Sequence, residues 1–182
     1  KKLFDRYQEA RKSGEGHRNG DWQAYVHTFE DGHEMALVPM GCFMMGSNDG
    51  GSNEQPISQK CVEEPFWIDV TEITNQEYGS TGCESYSSAP EQPRNCIDWF
   101  DALAYCQARG GSLPTELQWE YAARGVENLI YPWGNVWNPD NANWADTRPN
   151  ETSIVGAYPD GVSWIGAYDM SGNVLEWVSS VY

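Results

Sequence analysis

Short runs of hydrophobic residues in the first half of the chain predict three β-strands. They cover residues 35–38, 43–45 and 66–70, and glycine-rich or polar loops separate them. The clearest helical spacing of apolar residues comes later, after residue 97. The chain therefore combines strand-like and helix-like hydrophobic patterns, and it contains no internal repeat or low-complexity tract.

One predicted helix follows Asp98, whose side chain is a suitable N-cap. Trp99, Leu103 and Cys106 recur at helical spacing after it, which predicts that one face of this helix is buried. Gly110 marks the end, because glycine readily adopts the backbone conformation that closes a helix.

A second predicted helix begins after Thr115, which stands three residues before Gln118. This spacing is typical of a capping box, in which the threonine hydroxyl accepts from the glutamine amide and the glutamine side chain accepts from the threonine amide. The helix is predicted to continue to Arg124 and to end at Gly125.

Residues 128–163 contain mainly Asn, Pro, Trp, Asp and Gly and show almost no strand or helix pattern. A long irregular segment inside a compact domain is unusual, because it lacks the backbone ladders that normally order a chain. We therefore expect another kind of interaction to hold this segment in place.

The N-terminal segment differs from the rest in charge. Residues 1–20 include six basic and three acidic residues, whereas residues 21–182 include five basic and 24 acidic residues. Leu3, Tyr7 and Ala10 have the spacing of a short amphipathic helix. Residues 1–20 are therefore predicted to be a linker or docking helix before a domain over residues 21–182, with a frayed, solvated terminus as the alternative.

The overall composition limits the partners of the chain. With 182 residues it is long enough for one domain with a sizeable core, and its net charge is −16. Nucleic-acid grooves and anionic lipid surfaces need clustered Lys and Arg, so neither partner is expected. The apolar stretches are too short to cross a membrane.

Several kinds of catalytic site are disfavoured by missing residues. All three histidines, His17, His27 and His33, lie near the N-terminus, so a Ser-His-Asp centre or a His-ligated zinc site is not expected in the body. There is no Cys-x-x-Cys pair and no phosphate-binding glycine motif.

Two oxygen-rich loops, residues 141–146 and 169–176, are candidates for Ca²⁺ binding. Carboxylates, Asn side chains and main-chain carbonyls are the oxygen ligands that this ion prefers. Composition alone also fits two solvated acidic loops, and the chain contains no EF-hand pattern.

The five cysteines allow at most two disulfides. Cys106 lies on the apolar face of the first predicted helix and is expected to be free. The other four can pair as Cys42–Cys61 and Cys83–Cys96, although other pairings and free thiols remain open. Disulfides would indicate an extracytoplasmic location, meaning secreted, periplasmic or at the cell surface.

Several motifs stand in a distinctive order along the chain. The longest are Leu113-Pro114-Thr115-Glu116-Leu117-Gln118-Trp119-Glu120-Tyr121-Ala122-Ala123-Arg124-Gly125, Tyr131-Pro132-Trp133-Gly134-Asn135 and Tyr168-Asp169-Met170-Ser171-Gly172-Asn173-Val174-Leu175-Glu176-Trp177. Earlier pieces include Val38-Pro39, Phe66-Trp67-Ile68 and Thr71-Glu72-Ile73-Thr74-Asn75. In sequence and in order, these motifs resemble the formylglycine-generating enzyme (sulfatase-modifying factor) family, and the resemblance covers residues 34–182.

The resemblance implies a C-type-lectin-like α+β fold with little regular secondary structure and with bound, structural Ca²⁺. One ion would be held by the side chains of Asp169 and Glu176. The main-chain carbonyls of Gly172 and Val174 would complete its protein ligands.

A second ion would be held by Asn143, the carbonyl of Trp144 and Asp146. Each ion would hold several loop oxygens around its own charge, and the two ions together would order the irregular segment, residues 128–163. Glu120 and Arg124, one turn apart on the second predicted helix, are expected to form a structural ion pair rather than a catalytic one.

Active members of this family oxidise a cysteine in a Cys-x-Pro-x-Arg sequence of sulfatases to formylglycine, using O₂ and copper(I) held by two cysteines. Those cysteines follow the Gly-Asn-Val-Leu-Glu-Trp motif, whereas the last cysteine here is Cys106. Copper and catalytic residues are therefore not expected in this chain, which is predicted to be C-terminally incomplete. A missing segment or another chain would complete the core.

Three functions remain as hypotheses. The first is a non-catalytic, Ca²⁺-stabilised recognition or scaffold module that acts with a protein partner or in a larger assembly. The second is a fragment of a copper-dependent formylglycine-generating oxidase. The third is a carbohydrate-binding lectin-like domain, but the usual Trp-Asn-Asp and Glu-Pro-Asn signatures are missing. Most of the nine tryptophans are expected in the core, Trp99, Trp119 and Trp177 included.

Overall fold

The protein was analysed as a computed structural model, which describes residues 1–12, 18–48, 50–83, 85–144 and 151–180. These residues form a mixed α+β domain with short helices, two small antiparallel sheets and much irregular chain, as the sequence predicts. No helix within the described ranges has the length and apolarity needed to cross a bilayer.

A three-stranded antiparallel sheet lies at the centre of the domain. Its strands are β1 (Val26–Thr28), β2 (Glu34–Val38) and β5 (Phe66–Asp69), in the order β1-β2-β5. Strands β2 and β5 confirm the predicted strands at residues 35–38 and 66–70. The buried half of β2 contributes Ala36, Leu37 and Val38 to the core.

The second sheet pairs β3 (Gly41–Met45) with β4 (Ser58–Val62). Cys42 lies opposite Cys61 in the register, and the two residues form a disulfide across the strands. Strand β3 was predicted, but β1 and β4 were missed. Strand β4 is mostly polar and exposed, so its sequence carries no hydrophobic pattern and its pairing with β3 defines it.

The first helix, α1 (Lys2–Ala10), lies against the domain. Ala10 is fully buried, and the Arg6 guanidinium sits 4.5 Å from the Trp22 ring centroid. A cation over an aromatic ring is attracted by the ring quadrupole, so this contact helps to hold α1 in place. The predicted domain boundary at residue 21 stays a prediction.

Three further helices are α2 (Asn75–Tyr78), α3 (Trp99–Ala108) and α4 (Glu116–Arg124). The Asp98 side chain accepts from the amide of Asp101 and caps α3, as predicted. Thr115 and Gln118 form the predicted capping box of α4, which ends at Gly125. The short helix α2 was missed, because only its own capping box marks it.

The predicted face of α3 is the less exposed one, but its burial was overestimated. Trp99, Leu103 and Cys106 are only half-buried, and no residue of this helix is fully buried. Ala102 and Cys106 on this face line an open cleft, which leaves them in contact with solvent.

The core is formed by β2, β3 and α4 together with residues near 165. Tyr121 and Ile165 are fully buried there, and the Tyr121 ring lies 5.2 Å from that of Phe43. Of the nine tryptophans, only Trp22 is buried, so the expectation that most of them are core residues is wrong. Trp177 is 48 % exposed.

The described part of residues 128–163 is irregular, as predicted. It contains two 3₁₀ turns, Pro139–Asn141 and Pro159–Gly161. Side-chain amides connect them, since Asn138 Nδ2 donates to Asn141 Oδ1 at 2.9 Å and Asn141 Nδ2 donates to the Asp160 carbonyl at 3.0 Å. Side-chain hydrogen bonds thus replace part of the missing backbone ladder.

Candidate functional site

Three acidic side chains, Glu72, Asp169 and Glu176, come together beside the end of β5. Glu72 stands in the loop between β5 and α2, and the other two stand at the ends of the 169–176 loop. Burial raises the pKa of all three carboxyl groups. The charges of Asp169 and Glu176 raise the pKa of Glu72 further, so the three groups interact electrostatically.

Each carboxyl group accepts a hydrogen bond from another part of the chain: Glu72 Oε1 from Asn173 Nδ2 at 2.8 Å, Asp169 Oδ2 from the Gly156 amide at 2.6 Å, and Glu176 Oε2 from Trp119 Nε1 at 3.1 Å. The second oxygen of Glu72, Oε2, is buried and has no hydrogen-bond partner among the described residues. A buried acceptor without a partner is costly, so this oxygen is open to a ligand.

These carboxyl groups form no ion pairs with the part of the chain that the structure describes. Within the described ranges, no Lys, Arg or His forms an ion pair with Glu72, Asp169 or Glu176. The Glu176 residue as a whole is exposed to solvent, but protein atoms crowd around its carboxyl group and raise the pKa to about 7. Burial raises the pKa of Asp169, and the hydrogen bond from the Gly156 amide to Asp169 Oδ2 offsets part of this rise. A cation would relieve the excess negative charge.

The backbone of the 169–176 loop turns sharply. Asp169 and Asn173 have left-handed φ angles of 52° and 57°. Gly172 has φ 108°, and a Cβ atom at this position would collide with the carbonyl oxygen of Asn143. Only glycine permits this close approach, so the loop is packed directly on the second predicted Ca²⁺ loop.

Asn143 is 4 % exposed and connects the two loops. Its backbone carbonyl accepts from the Asn173 amide at 2.9 Å, and its Nδ2 donates to the Glu151 carbonyl at 2.9 Å. The side-chain oxygen, Oδ1, is buried and finds no partner in the described part of the chain. Glu72 Oε2 and Asn143 Oδ1 are thus two buried oxygens in this region without a hydrogen-bond partner among the described residues.

The structure therefore brings together most of the residues that the resemblance assigned to Ca²⁺. Asn143 contacts the loop that contains Gly172, and Val174 and Glu176 line the adjoining cleft. Trp144 follows Asn143, with its ring 5.3 Å from that of Trp137. Asp146 lies outside the described residues. Among those that are described, no three His, Cys, Asp or Glu side chains are arranged to hold a metal by themselves, so carbonyl oxygens would have to contribute.

Sequence reasoning missed Glu72 as a site residue. It lies in the quoted motif Thr71-Glu72-Ile73-Thr74-Asn75, between a strand and the Thr74 capping box of α2. An acidic residue three positions after the end of the half-buried strand β5 was the available signal. Glu72 becomes a site residue only because the fold places it near Asp169 and Glu176, which are distant in the sequence.

A cleft of about 960 Å³ adjoins the carboxyl groups. Glu72 and Glu176 line it together with apolar side chains of β5, α3 and the chain after residue 169, namely Ile68, Ala102, Met170, Val174 and Leu175. Leu175 is fully exposed at its rim. The cleft is large enough for a peptide or a small ligand.

Four of the five cysteines form disulfides. The predicted disulfides Cys42–Cys61 and Cys83–Cys96 are both present, and Cys106 is free, as expected. Burial raises the pKa of the Cys106 thiol, so its neutral form is favoured.

Glu120 and Arg124 form the ion pair expected on α4. Glu120 Oε1 accepts from the Gly46 amide at 2.8 Å, while Arg124 donates to the Gly46 carbonyl at 3.0 Å and to the Leu129 carbonyl at 2.7 Å. These bonds fasten α4 to the end of β3, so the role of the pair is structural.

Comparison with known proteins places these features in context. A profile of the sulfatase-modifying factor enzyme 1-like domain matches residues 23–182. The inactive C-alpha-formylglycine-generating enzyme 2 of Mus musculus is 42 % identical over 103 residues, covering 50 % of this chain and 33 % of the relative. The formylglycine-generating enzyme of Bos taurus is 30 % identical over 135 residues, covering 68 % of this chain and 36 % of the relative.

Among solved structures, PvdO from Pseudomonas aeruginosa superposes with a TM-score of 0.70 at 26 % sequence identity. The match covers 88 % of this chain and 76 % of PvdO. The chain spans about one third of the length of the curated relatives it matches.

Proposed function

Because this chain belongs to the formylglycine-generating enzyme (sulfatase-modifying factor) family, we propose that it is a non-catalytic recognition or scaffold module stabilised by Ca²⁺. Its α+β fold with little regular structure is the fold of that family. In this proposal, a bound ion orders the irregular loops, and the ordered loops present a surface to a protein partner.

One observation carries the proposal: the convergence of Glu72, Asp169 and Glu176 beside open oxygens. Burial raises the pKa of all three carboxyl groups, no cationic side chain of the described residues pairs with them, and Glu72 Oε2 is unpartnered. A site that concentrates oxygen ligands and negative charge suits a hard divalent cation.

The residues divide into charged and neutral ligands. The carboxylates of Asp169 and Glu176 would hold the ion, with the carbonyls of Gly172 and Val174 as neutral donors. Asn143 Oδ1, also unpartnered among the described residues, would serve a second ion in the adjoining loop. Bound Ca²⁺ supplies no redox chemistry; it fixes oxygen ligands around one charge and so adds its binding free energy to folding.

The non-catalytic part of the proposal is supported by the similarity to the inactive C-alpha-formylglycine-generating enzyme 2 of Mus musculus. The two disulfides also support an extracytoplasmic location, since such bonds persist in oxidising compartments.

Calorimetric titration with Ca²⁺ tests the metal part. We expect binding to wild type, much weaker binding to Mg²⁺, and loss of most of the heat in Glu176→Gln. Glu63→Gln, which removes an exposed carboxylate between β4 and β5, is the matched control and should bind as wild type does. No heat above dilution in wild type would refute the proposed site.

A separate assay tests the lack of catalysis. The chain is incubated with copper(I), O₂ and a Cys-x-Pro-x-Arg peptide, and aldehyde formation is followed by mass spectrometry. We expect no aldehyde, and turnover would establish the oxidase alternative instead.

A further inference from the structure

A small cavity lies where the N-terminal segment meets the core of the domain. It offers about 20 Å³ to a water molecule. Its walls come from four parts of the chain, namely Trp22 after the 3₁₀ turn Asn19–Asp21, Met40 before β3, Tyr121 on α4, and Trp164. The cavity shares no lining residue with the cleft beside the carboxyl groups, so it is a separate site.

The hydroxyl group of Tyr121 is buried at the wall of this cavity. Tyr121 is fully buried, and its hydroxyl has no hydrogen-bond partner among the described residues. A Cβ atom at Gly41 would collide with this oxygen and would lie 3.3 Å from Val126 Cγ1. Gly41 follows Met40, and both Met40 and Val126 line the cavity, so the hydroxyl lies beside it. Burial raises the pKa of Tyr121, so the hydroxyl stays protonated and can donate as well as accept.

The indole N–H of Trp22 is a second buried polar group at the cavity. Trp22 is 7 % exposed, and its Nε1 finds no acceptor in the described part of the chain. An indole N–H can only donate, so it needs an oxygen to accept its hydrogen bond. The Arg6 guanidinium, which lies over the Trp22 ring, cannot supply one because it carries only donors.

Two buried polar groups without partners at one cavity are costly to folding, and native proteins normally pair such groups with protein or with ordered water. Apolar cavities stay dry, but a polar cavity holds a water molecule when it offers at least two partners and roughly 10–15 Å³. The cavity between Trp22 and Tyr121 meets both conditions.

The volume and the chemistry of the two groups identify the ligand. A volume of about 20 Å³ admits one water and no larger molecule. A metal cation is disfavoured, because the indole of Trp22 presents a hydrogen atom rather than a lone pair. Water accepts from the indole and can donate to the Tyr121 hydroxyl or accept from it, so one molecule satisfies both groups.

We propose that this cavity binds one ordered water molecule, which accepts a hydrogen bond from Trp22 Nε1 and forms a second one with the hydroxyl of Tyr121. Trp22 directly precedes the region that the family profile matches, residues 23–182. The water therefore connects the N-terminal segment to α4, and the contact of Trp22 with Arg6 extends this connection to α1. The inference does not depend on Ca²⁺ or on the recognition role proposed above.

Tyr121→Phe tests the inference by the sign of its effect. The substitution removes one oxygen atom and keeps the ring that packs near Phe43. With a bound water, a buried hydrogen bond is lost, and the equilibrium constant for folding, measured by urea unfolding, should fall roughly five- to tenfold. With a dry cavity, the substitution removes an unpaired buried polar atom, so the variant should be at least as stable as wild type.

Tyr86→Phe is the matched control, because it loses the same atom from a residue that is 43 % exposed. It should change the folding constant by less than about twofold. A crystal structure of the wild-type chain, at a resolution that shows ordered water, supplies the second readout. We expect one density peak in the cavity, within roughly 3.2 Å of both Trp22 Nε1 and Tyr121 Oη.

Three results would overturn the inference. The first is a Tyr121→Phe variant as stable as wild type or more stable. The second is a wild-type crystal structure without a density peak between Trp22 and Tyr121, a readout that does not depend on how any variant folds. The third is a less stable Tyr121→Phe variant combined with a protein group as the hydroxyl's partner in that crystal structure.

Discussion

Asn173 donates its side-chain amide to the carboxylate of Glu72 at 2.8 Å, across 101 positions of sequence. The same side chain accepts from the Ser153 amide at 2.9 Å through its oxygen, and its backbone amide donates to the Asn143 carbonyl. One asparagine thus connects the end of β5, the irregular segment and the 169–176 loop. The candidate cation site is built around this residue.

Removing the Asn173 side chain should therefore destabilise the whole site. Asn173→Gly keeps the left-handed backbone accessible and is expected to lose about 2–3 kcal/mol of unfolding free energy, because buried polar groups lose their partners. Asn173→Ala should lose about 1 kcal/mol more, the cost of a left-handed φ for a residue with a Cβ. Urea unfolding measures both values, and a glycine variant as stable as wild type would contradict this role.

Gly172→Ala tests the packing of the two loops. The new Cβ would collide with the Asn143 carbonyl at a φ of 108°, and we expect a loss of more than about 2 kcal/mol. Gly79→Ala is the matched control, since Gly79 has φ 83° and open space around it. It should lose only about 1 kcal/mol. Similar losses in thermal unfolding would mean that the close approach to Asn143 contributes nothing.

The raised pKa of Glu176 predicts an unusual pH dependence in Ca²⁺-free buffer. Its pKa is about 7 in the folded chain and near its ordinary value of 4.5 when unfolded. The folded state therefore holds the proton more tightly, and stability should fall as pH rises from about 4.5 to about 7. The difference between wild type and Glu176→Gln isolates this contribution. If the two stability curves stay parallel across that pH range, the burial of Glu176 is not as described.

The cross-strand disulfide is expected to be a major source of stability. Replacing Cys42 and Cys61 together by alanine opens a loop with a sequence separation of 19 and should cost about 3 kcal/mol. Cys106→Ala removes one sulfur without opening a bridge and should cost about 1 kcal/mol. Urea unfolding under non-reducing conditions compares them, and an equal effect of the two changes would count against the bridge.

Local signals in the sequence were sufficient for α3 and α4, although they did not reveal the short helix α2. Asp98 and the Thr115–Gln118 pair lie within one turn of the groups they cap, so their spacing alone predicted α3 and α4. The burial of Cys106 on α3 was overestimated, because it depends on what lies opposite the helix. No local pattern shows that Cys106 and Ala102 border a cleft.

Non-local interactions explain what the sequence did not reveal. Strand β4 is polar and is defined by its register with β3 and by the Cys42–Cys61 bridge. Glu72 gains its significance from Asn173 and Asp169, both far away in the chain. Family resemblance supplied Asp169 and Glu176 as candidate ligands, but the contact between their loop and Asn143 required the fold.

The most direct test of the account is calorimetric melting of wild type and Glu176→Gln in Ca²⁺ and in chelator. An ion at about 100 times its dissociation constant adds roughly 2.7 kcal/mol, which corresponds to a rise of roughly 5–10 °C in the Tm of wild type. Most of that rise should vanish in Glu176→Gln and persist in Glu63→Gln. Superimposable wild-type melts in Ca²⁺ and in chelator would contradict the claim that a divalent cation orders these loops.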